Sequence, residues 1–206
     1  MSRICVVTSR GSAYYALVTR LRRAGLPFSS LLPDSDTHEC DVILTTQFEL
    51  SQFGQKALAL EALDDNPGVF KGQILSRLGA AGDTILVGID PGKRTGLAVF
   101  YGQRRLALST FESAAAVCSR IGAFARGIPE SRLLVRIGNG NRSAAVRLVD
   151  MVKKEAPGAT IEVVDESGTS AVSSKLRGIQ RDQAAAAKIA FRKGDVVSPG
   201  PTRIRD

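Results

Sequence analysis

Apolar and polar positions repeat with two different periods along this chain, and the changes of period mark its elements. Arg3–Thr8 is a β-branched run ended by Ser9-Arg10-Gly11-Ser12. From about Ala13 to Ala24 the apolar residues Tyr14, Leu17, Val18 and Leu21 recur at helical spacing, and Gly25 is a stop signal. Strands are predicted near Phe28–Leu32 and at Asp41–Thr46. Ser51 to Leu78 reads as helical, interrupted at Asn66-Pro67-Gly68. Strand, helix, strand and strand in that order predict a small Rossmann-like α/β domain over residues 1–80. The small residues of Gly79–Asp83 supply a link to the second part.

The second part has a clearer grammar. Thr84–Ile89 is a buried-type strand that runs into Asp90-Pro-Gly-Lys-Arg-Thr-Gly. Leu97–Tyr101 and Arg105–Thr110 flank Gly102-Gln103-Arg104, a hairpin signal. Ser113–Arg126 reads as a helix, Arg132–Ile137 as a strand, and Ser143–Glu155 as a helix closed by Pro157-Gly158. Thr160–Val164 is a further strand, ending at Asp165-Glu166, and Arg181–Arg192 is the last helix. The order β-β-β-α-β-α-β-α predicts an α/β domain over residues 84–197, a mixed five-stranded sheet flanked by helices. Residues 198–206 read as a flexible basic tail.

Composition narrows what the two parts do. A hydrophobic content of 44% supports a real core, and 23% charged residues without long biased tracts reads as an ordinary globular protein. No apolar run approaches the roughly 18–20 residues that span a bilayer, so no membrane partner is expected. The opening Met1-Ser-Arg-Ile-Cys-Val-Val enters a strand directly and lacks the pattern of a secretory signal. Cys5, Cys40 and Cys118 are isolated and odd in number, supporting neither a disulfide framework nor a zinc cluster. Together these features predict a reducing, cytoplasmic location. Charge is unevenly divided: residues 1–83 carry 8 Lys and Arg against 9 Asp and Glu, whereas residues 84–206 carry 20 against 11. That asymmetry predicts that the second part meets a polyanion; a merely basic surface is the plainer account. Trp is absent and aromatics are few, which favours contact with backbone phosphates over base stacking.

Three acids then stand out by position. Asp90 closes the first strand of the second part, Glu166 follows its fifth, and Asp182 opens its last helix. Neighbouring strands of an α/β sheet can bring such ends to one rim. Three convergent carboxylates repel one another unless a cation lies among them. Mg²⁺ or Mn²⁺ would be held by such hard oxygen ligands, and two ions about 4 Å apart can activate water and stabilise the leaving oxygen of a phosphodiester. No histidine base is then needed, in a chain whose only histidine is His38. Each acid also has a bland account: a turn at Asp90-Pro91-Gly92, a cap at Glu166, a helix N-terminal charge at Asp182. Asp165 competes with Glu166, since adjacent strand residues face opposite sides.

The segments around these acids resemble a known superfamily. Gly88-Ile-Asp90-Pro-Gly92 followed by Thr95-Gly96-Leu-Ala-Val99 resembles the first catalytic strand of RuvC-type Holliday-junction resolvases and of the related YqgF family. Val164-Asp165-Glu166-Ser-Gly-Thr169-Ser170 resembles the YqgF segment whose Glu is a metal ligand, and Asp182-Gln-Ala-Ala-Ala-Ala187 the final helix whose Asp is the last ligand. The resemblance covers about residues 84–193. It implies an RNase H-like fold and a two-metal endonuclease, with Asp90, Glu166 and Asp182 as catalytic metal ligands. Two departures separate the chain from RuvC: Val135-Arg136-Ile137-Gly138 stands where a catalytic Glu is expected, and Ile179 where an additional Asp is expected. The three-acid YqgF pattern is therefore the better match. Gly138-Asn139-Gly140-Asn141 departs from the YqgF loop and leaves the substrate open between branched DNA and structured RNA. Junction resolution would require a symmetric homodimer, whereas RNA processing could proceed from a monomer.

Candidate nucleic-acid contacts surround the acids. Lys93 and Arg94 follow the first ligand and could clamp a phosphate. Asn139, Asn141 and Arg142 sit at a strand-to-helix turn, where Asn141 could equally be an N-cap. Lys175, Arg177 and Arg181 fall between the second and third ligands. Ser9-Arg10-Gly11-Ser12 reads as an anion cradle or a plain turn. Two rival functions remain: a catalytically inactive nucleic-acid-binding module, and a nucleotide-binding protein of the actin and sugar-kinase type. The latter needs a second Gly-rich phosphate motif, which the chain lacks.

Overall fold

The β-branched run Ile4–Val7 is fully buried as β1 and lies inside a four-stranded, wholly parallel sheet with β2 (Ser29–Leu31), β3 (Val42–Thr45) and β4 (Ala57–Ala59), in the order β2-β1-β3-β4. The structure is a computed structural model that describes residues 3–79, 83–165 and 178–197. It separates into two compact units, Met1–Ala80 and Ala81–Asp206, with two sheets and five α-helices among the described residues. In the first unit, helices α1 (Gly11–Ala24) and α2 (Pro67–Arg77) contribute Leu17, Leu21, Phe70, Ile74 and Leu75 to the core. Pro67 takes the first position of α2, where its missing N–H costs nothing. The Asn66 side chain caps the helix by accepting from the Gly68 and Val69 amides.

Two expectations for this unit are corrected. Ser51–Leu78 is not one interrupted helix: short 3₁₀ turns at Leu50–Gln52, Gly54–Lys56 and Leu60–Ala62 bracket β4, and only Pro67–Arg77 is α-helical. Ala57, Leu58 and Ala59 are good helix formers, but pairing with Ile43, Leu44 and Thr45 outweighs so weak a local preference. Gly54 also adopts φ +61°, which no helix propagates. Cys5 and Cys40, expected to be isolated thiols, form a disulfide with their Cα atoms 5.9 Å apart. The Asp41 amide donates to the Arg3 carbonyl at 2.9 Å, which seats the start of β3 beside β1 and brings together cysteines 35 positions apart. The cysteines therefore no longer argue for a reducing compartment. Among the described residues no helix is long and apolar enough to cross a membrane.

The second unit is built on β5 (Thr84–Pro91), β6 (Thr95–Tyr101), β7 (Arg104–Phe111), β8 (Arg132–Gly138), β9 (Thr160–Val164) and β10 (Asp195–Val196), in the order β10-β9-β8-β5-β6-β7. β5, β6 and β7 form an antiparallel meander, and β8 and β9 extend it in parallel from β5. The sheet is mixed, as expected, but it has a sixth strand. β10 pairs antiparallel with β9 over two residues only, too short for any alternation of apolar and polar residues to announce it. The expected tail, residues 198–206, lies outside the described residues. Helices α3 (Ala114–Gly127) and α4 (Arg142–Glu155) pack against each other and against β6, β7 and β8, while α5 (Ile179–Phe191) lies across β5 and β6.

Side-chain alternation sorts the two faces of this sheet. Ile85, Val87 and Ile89 point away from α5 and are fully buried. Gly88 of β5 and Gly96, Ala98 and Phe100 of β6 point toward α5, which answers with Ala186 and Ala190. A Cβ on Gly88 would stand 2.5 Å from the Ala190 amide nitrogen. One on Gly96 would stand 2.7 Å from the Asp182 carbonyl carbon. The run Ala184–Ala187 and the two glycines thus let the helix backbone settle directly on the strands, and Phe100 against Phe191, 4.7 Å between ring centroids, closes the far end.

Candidate functional site

Asp90 lies one residue from the end of β5, inside the strand rather than in a turn, and is half-buried. Its partner across the antiparallel pair is Gly96. Directly opposed residues of such a pair project to the same face, as do residues two apart along a strand. Both Gly96 and Gly88 face α5, so the Asp90 side chain projects to that face as well. Asp182 is in the first turn of α5, where its amide donates to the Gly178 carbonyl and its own carbonyl rests over Gly96. Two of the three predicted acids are therefore brought to one end of the β5–β6 ladder, on one face, by a glycine at the point of closest approach. The third, Glu166, lies outside the described residues, as do Lys175 and Arg177. Among the described residues no group of three metal-ligating side chains gathers.

Around Asp182 the surface opens into a cleft of about 710 Å³ lined by Gly92, Lys93, Arg94, Glu112 and Asp182. Arg94 Nε lies 3.3 Å from Asp182 Oδ2, with the carboxylate about a quarter exposed and the guanidinium more so. Lys93 is exposed. Glu112 was not expected here; the loop after β7 carries it to the cleft, a placement that no local pattern signals.

The parallel strands β5, β8 and β9 run in register, Ile89 against Ile137 and Gly138 against Val164, so their C-terminal ends share one rim. Asn139 stands at that rim, its amide donating to the Val164 carbonyl at 3.0 Å and its side chain 3.5 Å from Asp165. Asp165 itself is exposed and past the end of β9. The Asn141 side chain accepts from the Ala144 amide as the N-cap of α4, and Arg142 follows it, exposed, as the first helical residue. Arg181 is exposed beside Asp182 on α5.

Where an additional acid was considered on β8, the structure has an ion pair. Arg136 Nε donates to Glu162 Oε2 at 2.8 Å, and its Nη1 donates to the Ala190 carbonyl at 2.7 Å. Both side chains are nearly buried, at 14% and 10% exposure. Glu162 also accepts from the Gly194 amide. The pair was legible in principle: Arg136 and Glu162 each stand between apolar residues inside a strand, and buried charges require partners.

Of Ser9-Arg10-Gly11-Ser12 only Ser9 meets an anion, and it is an internal one; Gly11 and Ser12 already open α1. Glu49 accepts from the Ser9 amide (2.8 Å) and hydroxyl (2.7 Å), and from the hydroxyls of Thr8 (2.6 Å), Thr46 (2.6 Å) and Thr45 (3.3 Å). Burial alone would raise its carboxyl, but the bonds from Thr46, Thr8 and Ser9 more than reverse this and hold it at about 2.

No family model matches the chain, and no curated protein matches it. Among solved structures it is similar to an Argonaute from Marinitoga piezophila, in a crystal structure of that protein in complex with a 5′-OH guide RNA. Identity is 12% and the TM-score 0.30, over 80% of this chain and 39% of that one. The chain thus spans well under half the length of that protein.

Proposed function

We propose that residues 84–197 are an RNase H-like nuclease domain of RuvC/YqgF type, a metal-dependent endonuclease acting on structured nucleic acid, either branched DNA or folded RNA. The observation that carries this reading is the shared face of Asp90 and Asp182 at the end of the β5–β6 ladder. The three-strand meander extended by two parallel strands, with a final helix over the first two, is consistent with the fold that the motifs imply.

The donor set fits a divalent ion. It consists of carboxylate oxygens, the ligands Mg²⁺ and Mn²⁺ take. Asp90, Asp182 and Glu166 would hold one or two ions, which when bound supply an activated water and charge neutralisation at the phosphodiester. Asp90 is fixed by strand pairing and Asp182 by the first turn of α5, so the two carboxylates are preorganised by backbone rather than by loops. Lys93 and Arg94 place positive charge in the cleft where a phosphate would lie. Arg142 and Arg181 extend that charge along the surface of a unit whose basic excess suits a polyanion.

The test is cleavage of a labelled four-way DNA junction, a DNA duplex and a structured RNA with Mg²⁺ or Mn²⁺, beside Asp90→Asn. Metal-dependent cuts reduced on the order of a thousandfold in the variant are expected, the scale of several kcal/mol of charge stabilisation. Tight binding without cutting, equal in both proteins, would instead make this a recognition module.

A further inference from the structure

Arg94 bonds to the acid that the proposed site needs for its metal. The inference drawn from this contact rests on the metal-site reading above and deepens it. The guanidinium lies with its Nε 3.3 Å from Asp182 Oδ2. It runs on toward the start of α5, where a Cβ on Gly178 would lie 3.5 Å from Nη2. An ion that takes the Asp182 carboxylate therefore has to displace this side chain. Moving is easy here, since the side chain is 39% exposed and opens onto the cleft shared with Lys93 and Glu112.

We infer that Arg94 is an exchangeable counter-ion of Asp182: it neutralises the carboxylate when no metal is bound and competes directly with a divalent ion for it. The exchange keeps Asp182 paired in both states. Asp182 therefore never faces Asp90 as an uncompensated charge across the Gly96 contact. It also sets a threshold on metal loading, because an entering ion must displace the guanidinium before it gains the carboxylate.

Calorimetric titration of Mn²⁺ into the full chain tests this with Arg94→Ala and Lys93→Ala beside the wild type, folding being checked by circular dichroism. Lys93→Ala removes the same charge from the same cleft without touching the residue bonded to Asp182. Arg94→Ala is expected to bind Mn²⁺ about fivefold more tightly, the upper end of what a half-exposed ion pair is worth, with a clearly smaller gain for Lys93→Ala. Unchanged or weaker affinity in Arg94→Ala, with the wild type still binding, overturns the exchange and leaves the metal site standing. Equal gains in the two variants also overturn it, in favour of general electrostatics. Absence of Mn²⁺ uptake in both the wild type and Arg94→Ala overturns the metal site and the exchange together.

Discussion

The backbone carbonyl of Asp182 rests on Gly96, and Gly96 is the residue paired with Asp90 across the β5–β6 ladder. One missing side chain therefore sets the approach of the helix that carries one acid to the strand that carries the other. The same contact is repeated at Gly88 beneath Ala186 and Ala190.

Gly96→Ala tests this arrangement. The added methyl would lie 3.3 Å from the Ala186 side chain and inside the contact distance of the Asp182 carbonyl, so α5 must lift. A loss of about 1–3 kcal/mol in urea denaturation is expected, with Mn²⁺ affinity falling alongside. Gly88→Ala, facing backbone atoms of two residues, should lose at least as much. Wild-type stability in both variants would place α5 elsewhere.

The Arg136–Glu162 pair predicts strong non-additivity. Arg136→Met leaves Glu162 nearly buried without its partner and should cost about 3–5 kcal/mol. The double variant Arg136→Met, Glu162→Leu should recover most of that loss. If the single variant is nearly neutral, Arg136 is a surface residue, free for other work.

Glu49 makes the first unit sensitive to acid. Its carboxyl is held at about 2 against an ordinary 4.5, so the charged form is favoured by folding. The stabilisation is full above about 4.5 and is lost as pH falls toward 2. Glu49→Gln should cost about 2–3 kcal/mol at neutral pH and flatten stability across that acid window, as followed by denaturation at several pH values. An unchanged acid limb would remove Glu49 from this role.

Thiol chemistry separates the three cysteines. Burial, reinforced by the nearby Glu155 charge, raises Cys118 to about 11, so it should resist alkylation until the protein unfolds. Mass spectrometry of the unfolded, unreduced chain should show one alkylated cysteine, and three after reduction. Closing a loop of this length is worth about 3–4 kcal/mol, which reduction should remove. Three labelled thiols without reductant would exclude the Cys5–Cys40 bond.

Much of the second unit can be read from the chain because its signals are local. Apolar runs mark β5, β8 and β9, helical spacing marks α3 and α4, and Asp90 and Asp182 sit where strand and helix boundaries put them. What could not be read depends on partners far away in sequence. β4 is helix-forming residues recruited by β3, and β10 is two residues pinned to β9. Glu49 gathers hydroxyls from the ends of two strands, and the disulfide joins residues made adjacent by a parallel sheet. The glycines were visible as part of a motif, but the helix resting on them was not.

β5 and β6 open the second unit and α5 comes close to its end, which ties the site to the order of synthesis. A ribosome releases Asp90 long before Asp182, and until α5 emerges the strands present Gly88 and Gly96 as a bare slot with no helix to fill it. The two acids come to one face only when α5 docks. A nascent chain, or one truncated ahead of α5, therefore lacks Asp182 and leaves Asp90 beside an uncovered Gly88–Gly96 slot.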